Sequence, residues 1–397
     1  MHYDGIVTEK SLPPFESSSI QNEWPLLLEC ASPQPDARKL SALARAANGP
    51  RLLELAAEHG VLGRLAARLG KMDGDSVSRE TRQALLDGQR AQNFVTLHMT
   101  AELFRILDQF ASAGIGALVV KGPVLAVRAY GDPAMRSYGD LDLLVRRRDI
   151  RRATELMIAS GYQPAVPLRV IDVGKIPGQY LFSKPDSRLL IELHNDFTLR
   201  YFPRRLPLER FFERQIRVQL DSREVPALSV EDELVLICVH GAKHLWERLM
   251  WIADVAALVS RQSNLDWERA AVSAREVGAE RMLRVGLQLA ATLLKARMPD
   301  AVLAKVNSDR AAARLANQIL NWLPAAGNAP PGLFERAAFR MRMHGGLVSA
   351  PAYLMRLLLS PTEEDWGAGA EENQRPFLEV VRRPFRLARK YGRGGKT

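Results

Sequence analysis

The sequence predicts an α+β protein: a small mixed-sheet core set between an N-terminal and a C-terminal helical region. Three observations point there. Apolar residues keep helical spacing near both ends of the chain, while a period of two takes over between about residues 116 and 194. In that middle stretch, strand-like runs are interleaved with helix signals and turn residues. The expected organisation is an irregular N-terminus over 1–36, a helical region over 37–115, an α/β core over 116–225, a helical domain over 226–374 and a basic tail over 375–397.

Taken in order, residues 37–70 read as two short Ala/Leu-rich helices broken at Asn48-Gly49-Pro50, with Asp73-Gly74-Asp75 as a linker. Ser78 is placed to cap a long helix that runs to about Ala113 and stops at Gly114. Phe94, Leu97, Ala101, Phe104 and Leu107 keep its helical period. At Gly116 the period changes. Ala117 to Gly122 is a short strand ending in a turn, and Pro123 to Tyr130 suits a helix with proline in its first turn. Gly139 to Val145 is a second strand, and Asp149 can cap a helix to Ser160 that Gly161 ends. Gln179–Ser183 and Leu189–His194 form an expected hairpin around Pro185-Asp186-Ser187. Beyond Val225 helices return. Ser229 caps Glu231–His244, and amphipathic segments follow at Trp246–Ser260, Trp267–Val277, Glu280–Ala296, Ala311–Trp322 and Phe334–Leu359, with no fixed repeat.

Composition narrows the class. With 47% hydrophobic residues among 397, each region can bury a real core. Cys30 and Cys238 are far apart and form no CxxC pair, which argues against a disulfide scaffold or a structural zinc site and for a reducing cytoplasm. The polar, proline-containing start lacks the features of an export signal. The most apolar stretch, Trp251 to Val259, is short and interrupted by Asp254, so no membrane span is expected. The net charge is +10, and Arg375 to Thr397 holds eight Lys/Arg against one Glu. Such a tail can bind nucleic acid, anionic lipid or an acidic partner, or serve as a solubilising end. The body is only mildly basic, and the tail holds few aromatics, Phe385 and Tyr391 among them, so nucleic acid is a possible partner without support. The oligomeric state is not legible.

The chemistry centres on Asp140 and Asp142. One residue apart in a strand, they share a face while Leu141 and Leu143 point to the other. Adjacent carboxylates repel unless a cation neutralises them. Mg²⁺ suits that role, since it binds carboxylates plus substrate phosphates. Glu192, between Ile191 and Leu193, has the alternation to add a third carboxylate from a neighbouring strand. Acidic pairs are common on exposed strands, so the preceding residues matter. A strand ending in Lys121-Gly122 opens a helix whose N-terminal amides can meet a phosphate, and Lys121 and Arg136 add positive charge there.

Further along, His240, Lys243, His244 and Glu247 fall at i, i+3, i+4 and i+7 of a helix. HGAKH lacks the glutamate of a zinc-protease motif, and the histidine pair reads as structural. Lys243 either contacts a nucleotide phosphate or stays on a solvated face. Trp246 and Trp251 read as core, and Asp254 as the partner of an arginine, with Arg248 the near candidate. Arg146-Arg147-Arg148 is either a polyanion contact or a solvated loop.

The run KGPVLAVRAYGDPAMRSYGDLDLLV, followed by ASGY and LIELH, resembles the bacterial uncharacterised nucleotidyltransferase family of the DNA polymerase β superfamily. HGAKHLWERLMWIADVA resembles that family's helical region, and together the likeness covers roughly residues 95 to 260. It implies transfer of a nucleoside monophosphate from an NTP, ATP among them, to an acceptor, with release of pyrophosphate. Asp140 and Asp142 would hold Mg²⁺ or Mn²⁺. Glu192 would hold the catalytic metal and help deprotonate the acceptor, and Gly122 would sit on the triphosphate. The chain departs from the superfamily at Gly122-Pro123, where a Gly-Ser or Gly-Gly pair is usual. Proline removes an N–H, which Lys121 or Arg136 would have to offset. The expected function is an Mg²⁺-dependent nucleotidyltransferase acting on a small molecule, peptide or protein. A nucleotide-binding module without turnover and a toxin-like transferase acting on tRNA are the alternatives. Neutralising Asp142 or Glu192 is expected to abolish transfer while leaving the metal-free fold as stable as before, or more so.

Overall fold

In the computed structural model the described residues are 20–72, 76–168, 171, 178–185, 189–196, 206–325 and 332–344. Four short helices come first among the described residues: α1 (Glu23–Ala31), α2 (Ala37–Ala46), α3 (Gly49–Glu58) and α4 (Leu62–Leu69). Helix α1 lies where irregular chain was expected, because Leu26, Leu27, Cys30 and Ala31 gain full burial by forming it. The two expected helices of 37–70 are three, the extra break falling at Gly60, whose φ of 67° suits glycine. The long helix α5 (Arg79–Ser112) starts as predicted, with the Ser78 hydroxyl accepting from the Thr81 amide. Its apolar stripe is only partly core. Leu103, Ile106, Leu107 and Phe110 are buried, whereas Phe94 and Leu97 are 73% and 68% exposed.

The sheet has seven strands in the order β3-β4-β5-β2-β1-β7-β6. Strand β1 (Ala117–Val120) leads through α6 (Gly122–Tyr130) to β2 (Asp140–Val145), which lies antiparallel beside it. Helix α7 (Ile150–Ala159) follows a 3₁₀ turn, and the Asp149 side chain makes no capping hydrogen bond, contrary to expectation. Then come β3 (Gln163–Pro164), β4 (Gln179–Ser183) and β5 (Leu190–His194). Strands β4 and β5 are antiparallel as expected, and β5 runs parallel to β2. After α8 (Leu208–Glu213), a hairpin of β6 (Ile216–Leu220) and β7 (Arg223–Ala227) extends the other edge, β7 pairing parallel to β1.

Alternation splits the sheet between two cores. Val119, Leu141, Leu143, Ile191 and Leu193 pack with α5 and α7 residues such as Phe110 and Met157. Leu118, Val120 and Leu144, on the opposite face, join the core of the C-terminal helices. Those helices are α9 (Val230–Lys243), α10 (Leu249–Arg261), α11 (Trp267–Val277), α12 (Glu280–Leu294), α13 (Asp300–Ser308), α14 (Arg310–Trp322) and α15 (Leu333–His344). The Ser229 cap forms as predicted, and α13 was not foreseen. Between α9 and α10 the chain turns through Leu245 and Trp246, both at φ 56°. Glu247 therefore leaves the helix face assigned to it and pairs with Arg336 (3.0 Å). No described helix is long and apolar enough to cross a membrane. The Asp73–Asp75 linker, Asp186-Ser187 of the expected turn, the far half of the 334–359 helix and the basic tail lie outside the described residues.

Candidate active site

Strand register builds the centre of the site. In the parallel pair of β2 and β5, Asp142 stands opposite Glu192, Asp140 opposite Leu190 and Leu144 opposite His194. Period-two alternation then puts Asp140, Asp142, Glu192 and His194 on one face, turned toward the C-terminal helices. The His194 Nε2 is 2.7 Å from Asp142 Oδ1 and 3.4 Å from Glu192 Oε2. Gln179 on β4 donates to the same Glu192 oxygen at 2.6 Å. On the other side, Lys121 Nζ lies 2.9 Å from Asp142 Oδ2. Asp142 and His194 are almost fully buried, while Lys121 and Glu192 are 11% and 17% exposed.

These contacts set the charge states. Burial works to raise the Asp142 carboxyl, but Lys121 and His194 outweigh it and hold it below the usual carboxylate range. Asp140 has no such partner. Burial, then the Asp142 charge, pushes its carboxyl up to about 6 against the pull of Lys121 and Arg136. Burial opposes protonation of His194, yet its hydrogen bonds to Asp142 and Glu192 raise it above its ordinary value. The expectation of uniformly strained carboxylates thus splits: Asp140 is strained and Asp142 is stabilised.

Backbone geometry at the strand–helix junction is also unusual. Lys121 has φ 56° and ψ −137°, a conformation costly for any residue with a Cβ, and Gly122 follows at φ 46°. Gly122 sits at the N-terminus of α6 as expected, beside the Asp140 carbonyl.

Arg136 is buried at 6% exposure, and its Nε donates to Asp254 Oδ2 at 2.9 Å. Tyr130 Oη donates to the other Asp254 oxygen at 2.7 Å. Asp254 is therefore the partner of Arg136, 118 residues away, and not of the adjacent Arg248. Lys243 is partly buried at the end of α9. The His240, His244 and Trp251 rings pack against one another in tilted and edge-on contacts, their centroids 4.7 to 5.5 Å apart. Burial lowers both histidines well below their ordinary value, and Lys121 and Lys243 add to the effect, so both are neutral. Of the arginine run, Arg146 lies over the Phe212 ring at 3.8 Å and pairs with Glu209, and Arg147 pairs with the buried Asp196. Arg148 is exposed.

The structure thus brings together Lys121, Asp142 and Glu192 of the predicted residues and adds His194. Among the described residues, Asp142, Glu192 and His194 form the one group whose ligand atoms all lie within 4.8 Å of each other. Asp140 shares their face but stands outside that group. His194 was legible as the residue two places after Glu192, on the same strand face.

A family described as "Uncharacterised nucleotidyltransferase" matches residues 45–295. No curated protein matches the chain. The match takes in α3 to α5, the whole sheet and the C-terminal helices through α12, and the chain belongs to this uncharacterised nucleotidyltransferase family.

Proposed function

We propose that this protein transfers a nucleoside monophosphate from an NTP to an acceptor hydroxyl, using a divalent cation held by the Asp140, Asp142 and Glu192 carboxylates. The observation that carries the reading is the pairing of Asp142 with Glu192 across β2 and β5 beside Asp140. Three carboxylates meet one ammonium and one imidazole there, and burial followed by the neighbouring Asp142 charge pushes the Asp140 carboxyl up to about 6, so added positive charge would ease its ionisation. A Mg²⁺ or Mn²⁺ ion supplies that charge. Such an ion, when bound, offsets charge on the phosphates and eases deprotonation of a hydroxyl.

The chain's own groups divide the remaining work. Gln179 holds the Glu192 carboxylate in one orientation, so that Glu192 can accept the acceptor's proton. Lys121 keeps Asp142 ionised. Pro123 has no N–H and the Leu125 amide is bonded to the Lys121 carbonyl, so the end of α6 offers a phosphate at most the Gly122 and Val124 amides. With so few donors, phosphate binding has to draw on side chains. Lys243 is the candidate from the helical half, and Arg136 contributes field more than contact because its Nε is committed to Asp254.

The Lys121–Asp142 ion pair favours a second reading, in which a protein cation has taken over from a metal and the site binds nucleotide without turnover. One experiment separates the two. The protein is incubated with each α-labelled NTP and Mg²⁺ or Mn²⁺, with cell extract, with purified tRNA or alone, and label transfer and pyrophosphate release are followed. Transfer that disappears in Glu192→Gln supports the enzyme. Metal-independent NTP binding without transfer under any condition supports the binding module, and transfer confined to tRNA identifies an RNA acceptor.

A further inference from the structure

We propose that His194 is itself a ligand of the divalent cation, joining the carboxylates that hold it, and that the site for this reason prefers Mn²⁺ to Mg²⁺. This rests on the metal-dependent reading above and adds to it a ligand and a preference.

Geometry supplies the case. Glu192 and His194 are two apart on β5 and share a face, and β2 sets Asp142 opposite Glu192 and the apolar Leu144 opposite His194. His194 thus stands between Leu144 on β2 and Gln179 on β4, and its ring reaches the two carboxylates. Its Nε2 lies 2.7 Å from Asp142 Oδ1 and 3.4 Å from Glu192 Oε2. Ligand atoms about 2.1 Å from one ion, at right angles, stand about 3.0 Å from each other. The two observed separations bracket that value, so an ion needs only small shifts of these side chains.

The rest of the site leaves this position open. Lys121 takes Asp142 Oδ2, the oxygen away from the imidazole. Gln179 donates to Glu192 Oε2 and fixes the carboxylate without adding charge. His194 is 3% exposed, which removes the competing option of an imidazole turned to solvent.

The metal preference follows from donor chemistry. Mg²⁺ strongly favours oxygen ligands, whereas an imidazole nitrogen suits Mn²⁺ and later transition ions better. A site made only of Asp140, Asp142 and Glu192 would lack that bias.

The test is pulsed electron paramagnetic resonance of Mn²⁺ bound to the full chain with a non-hydrolysable NTP analogue, beside calorimetric titration with Mn²⁺ and Mg²⁺. The expected result is ¹⁴N modulation from a directly bound imidazole, changing to a ¹⁵N pattern when the histidines are ¹⁵N-labelled. His194→Gln should abolish the modulation and weaken Mn²⁺ binding about tenfold or more, with a smaller loss for Mg²⁺. His240→Gln and His244→Gln should keep it, which assigns the nitrogen even if His194→Gln folds poorly. Bound Mn²⁺ without nitrogen coupling, or coupling that survives in folded His194→Gln, overturns the ligand assignment and leaves the metal-dependent reading standing. Equal affinity for the two ions in the wild type overturns the preference. Absence of any Mn²⁺ or Mg²⁺ binding, with or without nucleotide, overturns both.

Discussion

Asp142 faces Glu192 across the parallel strands β2 and β5, whereas Asp140, two residues earlier on the same strand, faces Leu190. The same motif thus contains one carboxylate held by Lys121 and His194 and one left to burial and repulsion.

Opposite stability effects are expected from neutralising them in the metal-free protein. Asp140 has a folded value of about 6 against an ordinary 3.8, so it favours the fold while protonated and loses that advantage as pH rises through this window. Asp140→Asn should therefore stabilise the metal-free protein by about 1–3 kcal/mol above pH 6 and by little near pH 4. Asp142→Asn should destabilise it at neutral pH, by about 1–3 kcal/mol, because the buried Lys121 and His194 lose their shared acceptor. Urea unfolding of both variants at pH 4 and pH 7 checks the pair, and equal shifts in the two would contradict it.

At Lys121, glycine should be the better replacement. Lys121→Gly and Lys121→Ala both remove the ammonium, but only glycine accepts φ 56°, ψ −137° without strain. The glycine variant should be more stable by about 1 kcal/mol or more, the reverse of the order in a helix interior. Thermal melts of the two, compared directly, decide it.

The Glu102 carboxylate gives a second pH handle away from the site. The hydrogen bond from Arg105 lowers it to about 2 from 4.5, burial opposes the shift, and the Tyr162 hydroxyl adds to it. A depressed carboxylate stabilises the fold above its unfolded value, and the contribution fades as pH falls from about 4.5 toward 2. Arg105 is 36% exposed and screened by solvent, so Glu102→Gln should cost only about 1–2 kcal/mol at pH 7. Denaturant titrations at pH 7 and pH 3.5 should show the gap narrowing at the lower pH.

Gly241→Ala pits helix propensity against packing. Alanine would gain about 1 kcal/mol in a helix interior, but its Cβ would stand 2.5 Å from the Trp246 ring. Trp246 is fully buried and fixed by its left-handed backbone, so it cannot give way. Overpacking should win, with a net loss of about 1–2 kcal/mol in chemical denaturation.

How much of this was legible depended on range. The α5 start, the Ser229 cap and strands β1, β2, β4 and β5 follow from local period and capping chemistry, and they appear where the sequence put them. The β6–β7 hairpin escaped although Ile216, Val218 and Leu220 alternate with Arg217 and Gln219, because Arg223-Glu224 interrupt the period in its second half and Pro226 argues against a strand. Alternation alone grouped Asp140, Asp142 and Glu192, but which aspartate meets the glutamate depends on register between strands some 50 residues apart. The same limit hid the Lys121–Asp142 pair and made Arg248 look like the partner of Asp254.

The Tyr130–Asp254–Arg136 bridge bears on what counts as the smallest self-sufficient unit. Asp254 belongs to the helical half, and its two partners are the last residue of α6 and a residue of the stretch between α6 and β2. Ending the chain at residue 225, where the α/β core seemed to close, would strand a buried guanidinium with no counter-ion and tear β7 short of Ala227, its point of pairing to β1. The sheet is thus no portable cassette: its buried charge is balanced from the helical half. The matched stretch, 45–295, spans both sides of the bridge, as a unit that needs both halves would.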